Sequence, residues 1–98
     1  MDIPKMMSID YKVNSGKLIR LDAKFDSFLI SEIKISGDFF IYPNHAIKDI
    51  ESFLIGKDIR VIDKLLKDFL KDNDYQVIGF NSSDLQKALL KLFNINQN

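Results

Sequence analysis

Midway along this chain the spacing of apolar residues changes from every second position to three or four apart, and no other feature narrows its possible folds so much. From Ser8 to Val13, Ile9, Tyr11 and Val13 alternate with Asp10 and Lys12, which is the period of a half-buried strand. Asn14-Ser15-Gly16 supplies turn chemistry, and a second alternating run from Lys17 to Asp26 points Ile19, Leu21, Ala23 and Phe25 to a core and Arg20, Asp22, Lys24 and Asp26 to water. Asp26-Ser27 turns the chain into a third run, in which Leu29, Ser31, Ile33 and Ile35 alternate with Glu32 and Lys34. The pattern predicts an antiparallel meander with one apolar face that something must cover.

The cover comes from the second half. Asn44, just after Pro43, is the expected N-cap of a helix whose stripe is Ile47, Ile50, Phe53 and Leu54, and Gly56 is placed to end it. A second helix is expected from about Asp58 to Lys71, with Ile59, Ile62, Leu65, Leu66, Phe69 and Leu70 inward. Asp63 with Lys67 and Lys64 with Asp68 sit four apart on its wet side. Asn73 to Phe80 reads as an extended connector rather than a strand. Ser83-x-x-Gln86 has the form of a capping box opening a third helix with Leu85, Ala88, Leu89, Leu92 and Phe93 inward, and 94–98 are expected to fray. The expected fold is therefore α+β, a three-stranded antiparallel meander sheet covered on one face by about three α-helices, as a single domain over 1–98.

Composition then excludes several functions. With 98 residues the chain has one core's worth of apolar surface to bury, roughly 65% of what the unfolded chain exposes. It has no cysteine, so disulfides, thiolate metal sites and a cysteine nucleophile are out. Fourteen basic residues balance fourteen acidic ones and are spread over both halves, which argues against a nucleic-acid face. No apolar run nears the roughly 20 residues of a membrane span, and Met1 to Ser8 has no signal-peptide core, so a cytoplasmic protein is expected. The sole histidine, His45, has no nucleophile beside it in sequence, and the carboxylates mostly alternate with lysines, as solvated charge does. The four glycines are scattered among separate turns, so no phosphate loop exists.

The segment that breaks the pattern is Ile35-Ser36-Gly37-Asp38-Phe39-Phe40-Ile41-Tyr42-Pro43. Adjacent strand residues point to opposite faces, so either Gly37 permits a bulge that buries both Phe39 and Phe40, or one ring is exposed as a contact for a partner. Asp38 is placed either to cap a turn or to carry a polar contact across an interface.

Here the chain resembles a known family, the C-terminal accessory domain of lipoate-protein ligases, which in some archaea is a separate small subunit. The resemblance spans most of the chain. It is carried by Gly16-Lys17-Leu18-Ile19, Ile33-Lys34-Ile35, Ser36-Gly37-Asp38-Phe39-Phe40, Leu54-Ile55-Gly56-Lys57 and Ile78-Gly79-Phe80-Asn81-Ser82-Ser83-Asp84-Leu85. Where the family commonly has an Asp-Gly turn, this chain has Asp26-Ser27-Phe28. The resemblance implies a non-catalytic partner of a large ligase subunit, which holds lipoate, ATP and Mg and the catalytic lysine, while this chain alone binds no cofactor. It implies that the pair makes lipoyl-AMP and lipoylates acceptor domains of 2-oxoacid dehydrogenase complexes or the glycine cleavage H protein. It also implies a partner interface, for which Gly37, Asp38, Phe39 and Phe40 are the candidates and Lys17 a further one. The expected architecture is similar to that of iron–sulfur assembly scaffolds too, but without cysteine that function is excluded. A general protein-interaction module unrelated to lipoylation is the alternative.

Overall fold

Residues 6–96 are described in the computed structural model. The first half folds as the alternation requires: β1 (Met7–Lys12), β2 (Leu18–Asp26) and β3 (Leu29–Gly37) form an antiparallel sheet in the order β1-β2-β3. Ile9 faces Leu21 and Leu21 faces Ile35 across the ladders. Ile19, Leu21, Ala23, Ile33 and Ile35 are buried on one side. The other side carries a charged ladder, in which Arg20 reaches Asp10 at 3.2 Å and Asp22 at 3.6 Å, the Ser8 hydroxyl donates to Asp22, and Lys24 meets Glu32 at 3.5 Å.

The start of β3 departs from the expected alternation. Lys24 pairs with Glu32 but Phe25 pairs with Ile30, so Ser31 is an extra residue, a bulge. The bulge turns Ile30 into the core and leaves Leu29 exposed, reversing the expected facing of Leu29. A third backbone segment holds this end in place. Gly56 N donates to Ile30 O, Ile30 N to Lys57 O, and Ile59 N to Phe28 O.

Three helices complete the core: α1 (Ala46–Leu54) and α3 (Ser82–Asn96) lie against the sheet, and α2 (Ile62–Asp72) packs on α1 and α3. Their buried positions, including Ile50, Leu54, Ile62, Leu66, Leu85, Ala88, Leu89 and Leu92, are those of the sequence stripes. The ends differ. Asn44 does not cap α1; Ala46 N donates to Pro43 O, and the helix is entered through a turn with His45 already near helical geometry and no side-chain cap. The second helix is split: Asp58 accepts from Arg60 N and starts a 3₁₀ turn, Ile59–Val61, and Val61 then leaves helical geometry before α2 begins. The capping box of α3 lies two residues earlier than expected, with Asn81 Oδ1 accepting from Asp84 N at 2.8 Å and Asp84 Oδ2 accepting from Asn81 N at 3.0 Å. Gln86 instead caps its neighbour, accepting from Asp63 N in the first turn of α2 at 2.8 Å. Helix α3 runs on to Asn96 rather than fraying at 94, because Phe93 stacks on Phe28 at 5.0 Å and meets Phe25 edge-on at 5.5 Å; residues 97–98 lie outside the described range.

The expected connector contains a strand. Gln76–Ile78, here β5, pairs antiparallel with β4 (Phe40–Tyr42), giving a second, two-stranded sheet. Its partner lies far back in the sequence, and each strand is too short to show a period of its own. The turn before it is closed by Asp74, which holds a φ of 55°.

Candidate functional site

The chain leaves the first sheet at Gly37, opposite Ile19 on β2. Gly37 has a φ of 132°, and a Cβ there would lie 2.4 Å from Leu18 O and 2.9 Å from Ile19 Cα, so only glycine lets the strands approach this closely. Asp38 N donates to the same Leu18 oxygen at 2.9 Å, and Phe39 N to Gly37 O at 3.2 Å. This tight crossing delivers the two phenylalanines to opposite sides. Phe39 turns inward and meets Phe80 edge-on at 5.1 Å, while Phe40 stands 67% exposed. Of the two arrangements open in the sequence, the one with an exposed ring is therefore the one adopted.

Phe40 is not alone on the surface. Its cross-strand partner on β5 is Ile78, half exposed, and Tyr42, two residues along the same face, is exposed as well. Two further connectors converge on this end. The β1–β2 turn brings Lys17, and its Ser15 hydroxyl donates to Gly79 O at 3.2 Å. Gly79, with a φ of 121°, packs so closely on the crossing that a Cβ would lie 2.9 Å from Phe39 Cβ and 3.0 Å from Asp38 O. The result is an open groove of about 530 Å³ whose lining contains all five sequence candidates, Lys17, Gly37, Asp38, Phe39 and Phe40, together with Ile78 and Gly79. Sequence reasoning missed Ile78, Gly79 and Tyr42. The alternation of Phe40 with Tyr42 was available as a signal, but Ile78 became visible only through the β4–β5 pairing.

Two other polar clusters lie outside the groove. Tyr75 donates to Asp49 Oδ2 at 2.5 Å, and His45 Nε2 lies 3.7 Å from the same oxygen with its ring edge-on to Tyr75. The hydrogen bond to Asp49, with desolvation, raises the Tyr75 phenol above its ordinary range. The Arg60 guanidinium grips Asp58 through both oxygens and lies 3.9 Å over the Phe28 ring, and it holds the Asp58 carboxyl down at about 2. Among the described residues no group of His, Asp and Glu could hold a metal ion, and no helix is long and apolar enough to cross a membrane.

No protein-family model matches the sequence. A curated relative, lipoate-protein ligase A subunit 2 of Thermoplasma acidophilum, is 39% identical over 64 residues, which cover 65% of this chain and 67% of the relative. A solved structure from the archaeal lipoylation system of Thermoplasma acidophilum, comprising a bipartite lipoate protein ligase and its E2 lipoyl domain, superposes with a TM-score of 0.72 at 32% identity. The match covers 89% of this chain and 97% of that one. The chain belongs to the small-subunit family of bipartite lipoate-protein ligases. In this small ligase subunit the segment Ser36-Gly37-Asp38-Phe39-Phe40 is the crossing between the two sheets, and its glycine makes that crossing sterically possible.

Proposed function

We propose that this chain is the non-catalytic accessory subunit of a lipoate-protein ligase and binds a larger catalytic subunit through the groove at the Gly37–Phe40 crossing. One observation carries the choice of surface. Phe40, Tyr42 and Ile78 stand exposed side by side next to Lys17 and Asp38, whereas the broad outer face of the first sheet is charged and largely occupied with its own ion pairs. Family membership supports the accessory role, since the curated relative is itself a ligase subunit.

In this reading the large subunit holds lipoate, ATP and Mg, and the pair makes lipoyl-AMP before lipoyl passes to a lysine of an acceptor domain. The acceptor belongs to a 2-oxoacid dehydrogenase complex or is the glycine cleavage H protein, and the work is done in the cytoplasm, where ATP is at hand. A mixed anhydride such as lipoyl-AMP is destroyed by water. A small rigid body docked beside the active site favours the adenylate by ordering a loop over it and excluding solvent. Nothing in that role asks this chain for an acid, base or nucleophile.

The test is lipoyl-AMP formation from ATP and lipoate by the large subunit, with and without this chain, and with Asp38→Ala combined with Phe40→Ala. Activation that needs the wild-type chain and falls with the folded variant supports both the role and the surface. Full activation by the large subunit alone refutes the accessory role and leaves an interaction module of another kind.

A further inference from the structure

The groove offers more than apolar area. Lys17 and Asp38 are both exposed at its edge, and among the described residues neither side chain takes part in an ion pair or a hydrogen bond. In the same groove Phe40 and Ile78 are directly opposite on neighbouring strands, a spacing of roughly 5 Å between Cβ atoms at which the two side chains meet and form one exposed apolar pair. An exposed apolar pair with opposite, unsatisfied charges on its rim selects a partner by charge order as well as by shape.

Building on the accessory-subunit reading, we propose that the large subunit lays an apolar side chain across the Phe40–Ile78 pair, with a carboxylate set against Lys17 and a cation against Asp38. The Asp38 carboxylate in the lining disfavours a phosphate, nucleotide or anionic lipid, so a polypeptide segment bearing both charges is the complementary occupant. Because the two rim charges cancel, they add little long-range steering. Their effect falls on the lifetime of the complex and on the direction in which the segment lies, and it is weakened by salt.

The experiment measures association and dissociation rates between the two purified full-length subunits. It compares wild type with Lys17→Met, Lys17→Glu, Asp38→Asn, Asp38→Lys and Phe40→Ala, at low and high salt. All five variants are at exposed positions, and unchanged thermal midpoints verify that each is folded. Neutralising either charge is expected to speed dissociation about 3-fold and reversing it about 10-fold, with association nearly unchanged and both effects shrinking at high salt. Phe40→Ala is expected to speed dissociation about 30-fold at either salt. If the four charge variants stay within about 2-fold of wild type while Phe40→Ala still weakens binding, the charge clamp is wrong and the accessory role stands. If wild type does not bind the large subunit at all, the accessory reading fails, and the clamp with it. A two-fold placement would also set Lys17 of one copy against Asp38 of another. A dimer of this chain alone that Lys17→Glu dissociates and the large subunit cannot displace would assign the face to a second copy and overturn the proposal.

Discussion

A Cβ placed on Gly37 would lie 2.4 Å from the carbonyl oxygen of Leu18, on the strand that Gly37 faces. Backbone cannot yield as a flexible side chain does, so alanine there must part β2 from β3 at the point where the chain crosses to the second sheet. At Gly79 the contacts are slightly longer, 2.9 Å to Phe39 Cβ and 3.0 Å to Asp38 O, and at Gly16 only the φ of 89° opposes a side chain. The expected order of destabilisation on substitution by alanine is Gly37 at about 3 kcal/mol or more, Gly79 at about 2 and Gly16 at about 1. Urea denaturation of the three variants checks it; an equal loss at Gly16 and Gly37 would mean that φ alone, and not the close approach, requires glycine.

The large elements were legible because each repeats its signal. β2 shows its period over nine residues, and α2 carries inward positions along its full length. What was not legible depends on single long-range pairings. The strand at Gln76–Ile78 exists because β4 is beside it, and the bulge at Ser31 has no local mark in the alternation, although it reverses the facing of Leu29 and Ile30. The Gly37–Phe40 crossing was conspicuous as a break in pattern, yet the alternation could not decide which ring points outward. Phe80 decides it, by offering Phe39 an edge-on contact from the chain just beyond β5, at the same end of the second sheet.

Competing capping signals can be separated by mutation. The residues that close the start of α3 are Asn81 and Asp84, each accepting from the other's backbone N–H, and Asp84 is buried. Asn81→Ala and Asp84→Ala are each expected to lower stability by about 1 to 2 kcal/mol, and Ser83→Ala by less than about 0.5. Gln86→Ala is expected to cost about 1 kcal/mol by leaving the part-buried start of α2 uncapped rather than through α3, because its carbonyl serves Asp63 N. Denaturation midpoints, with amide exchange at Asp63 for the last variant, distinguish the two.

Stability is expected to fall at both ends of the pH range for identifiable reasons. Hydrogen bonds from the Arg60 side chain and backbone lower the Asp58 pKa from 3.8 to about 2. A folded-state value below the unfolded one gives stability that is complete above about 4 and is lost as pH falls through about 2. The Tyr75 phenol is raised above 10.0 by Asp49, so its contribution is complete below that value and is lost as pH rises through the folded-state one. Urea midpoints measured against pH should show a shallower acid slope in Asp58→Asn, which keeps a side-chain acceptor for Arg60 N, and a shallower alkaline slope in Tyr75→Phe. A Tyr75→Phe profile parallel to wild type above pH 10 would show that the hydrogen bond to Asp49 does not couple to folding.

The adjacent phenylalanines should give opposite phenotypes. Phe39 is half-buried against Phe80, with Gly79 packed on its Cβ, so Phe39→Ala removes packing and is expected to cost about 2 kcal/mol of stability. Phe40 is 67% exposed and has only its cross-strand contact with Ile78 to lose, so Phe40→Ala is expected to cost less than about 1 kcal/mol. In binding to the large subunit the order is expected to reverse. Phe40→Ala should weaken the complex strongly at unchanged fold, whereas Phe39→Ala should weaken it only as far as the crossing is disturbed, and cooling or a stabilising osmolyte should restore that part. Paired measurements of unfolding and complex formation on the two variants decide the matter. A Phe40→Ala chain that binds as wild type would remove the exposed ring from the interface and leave Phe39 and Phe40 as two residues of one packing problem.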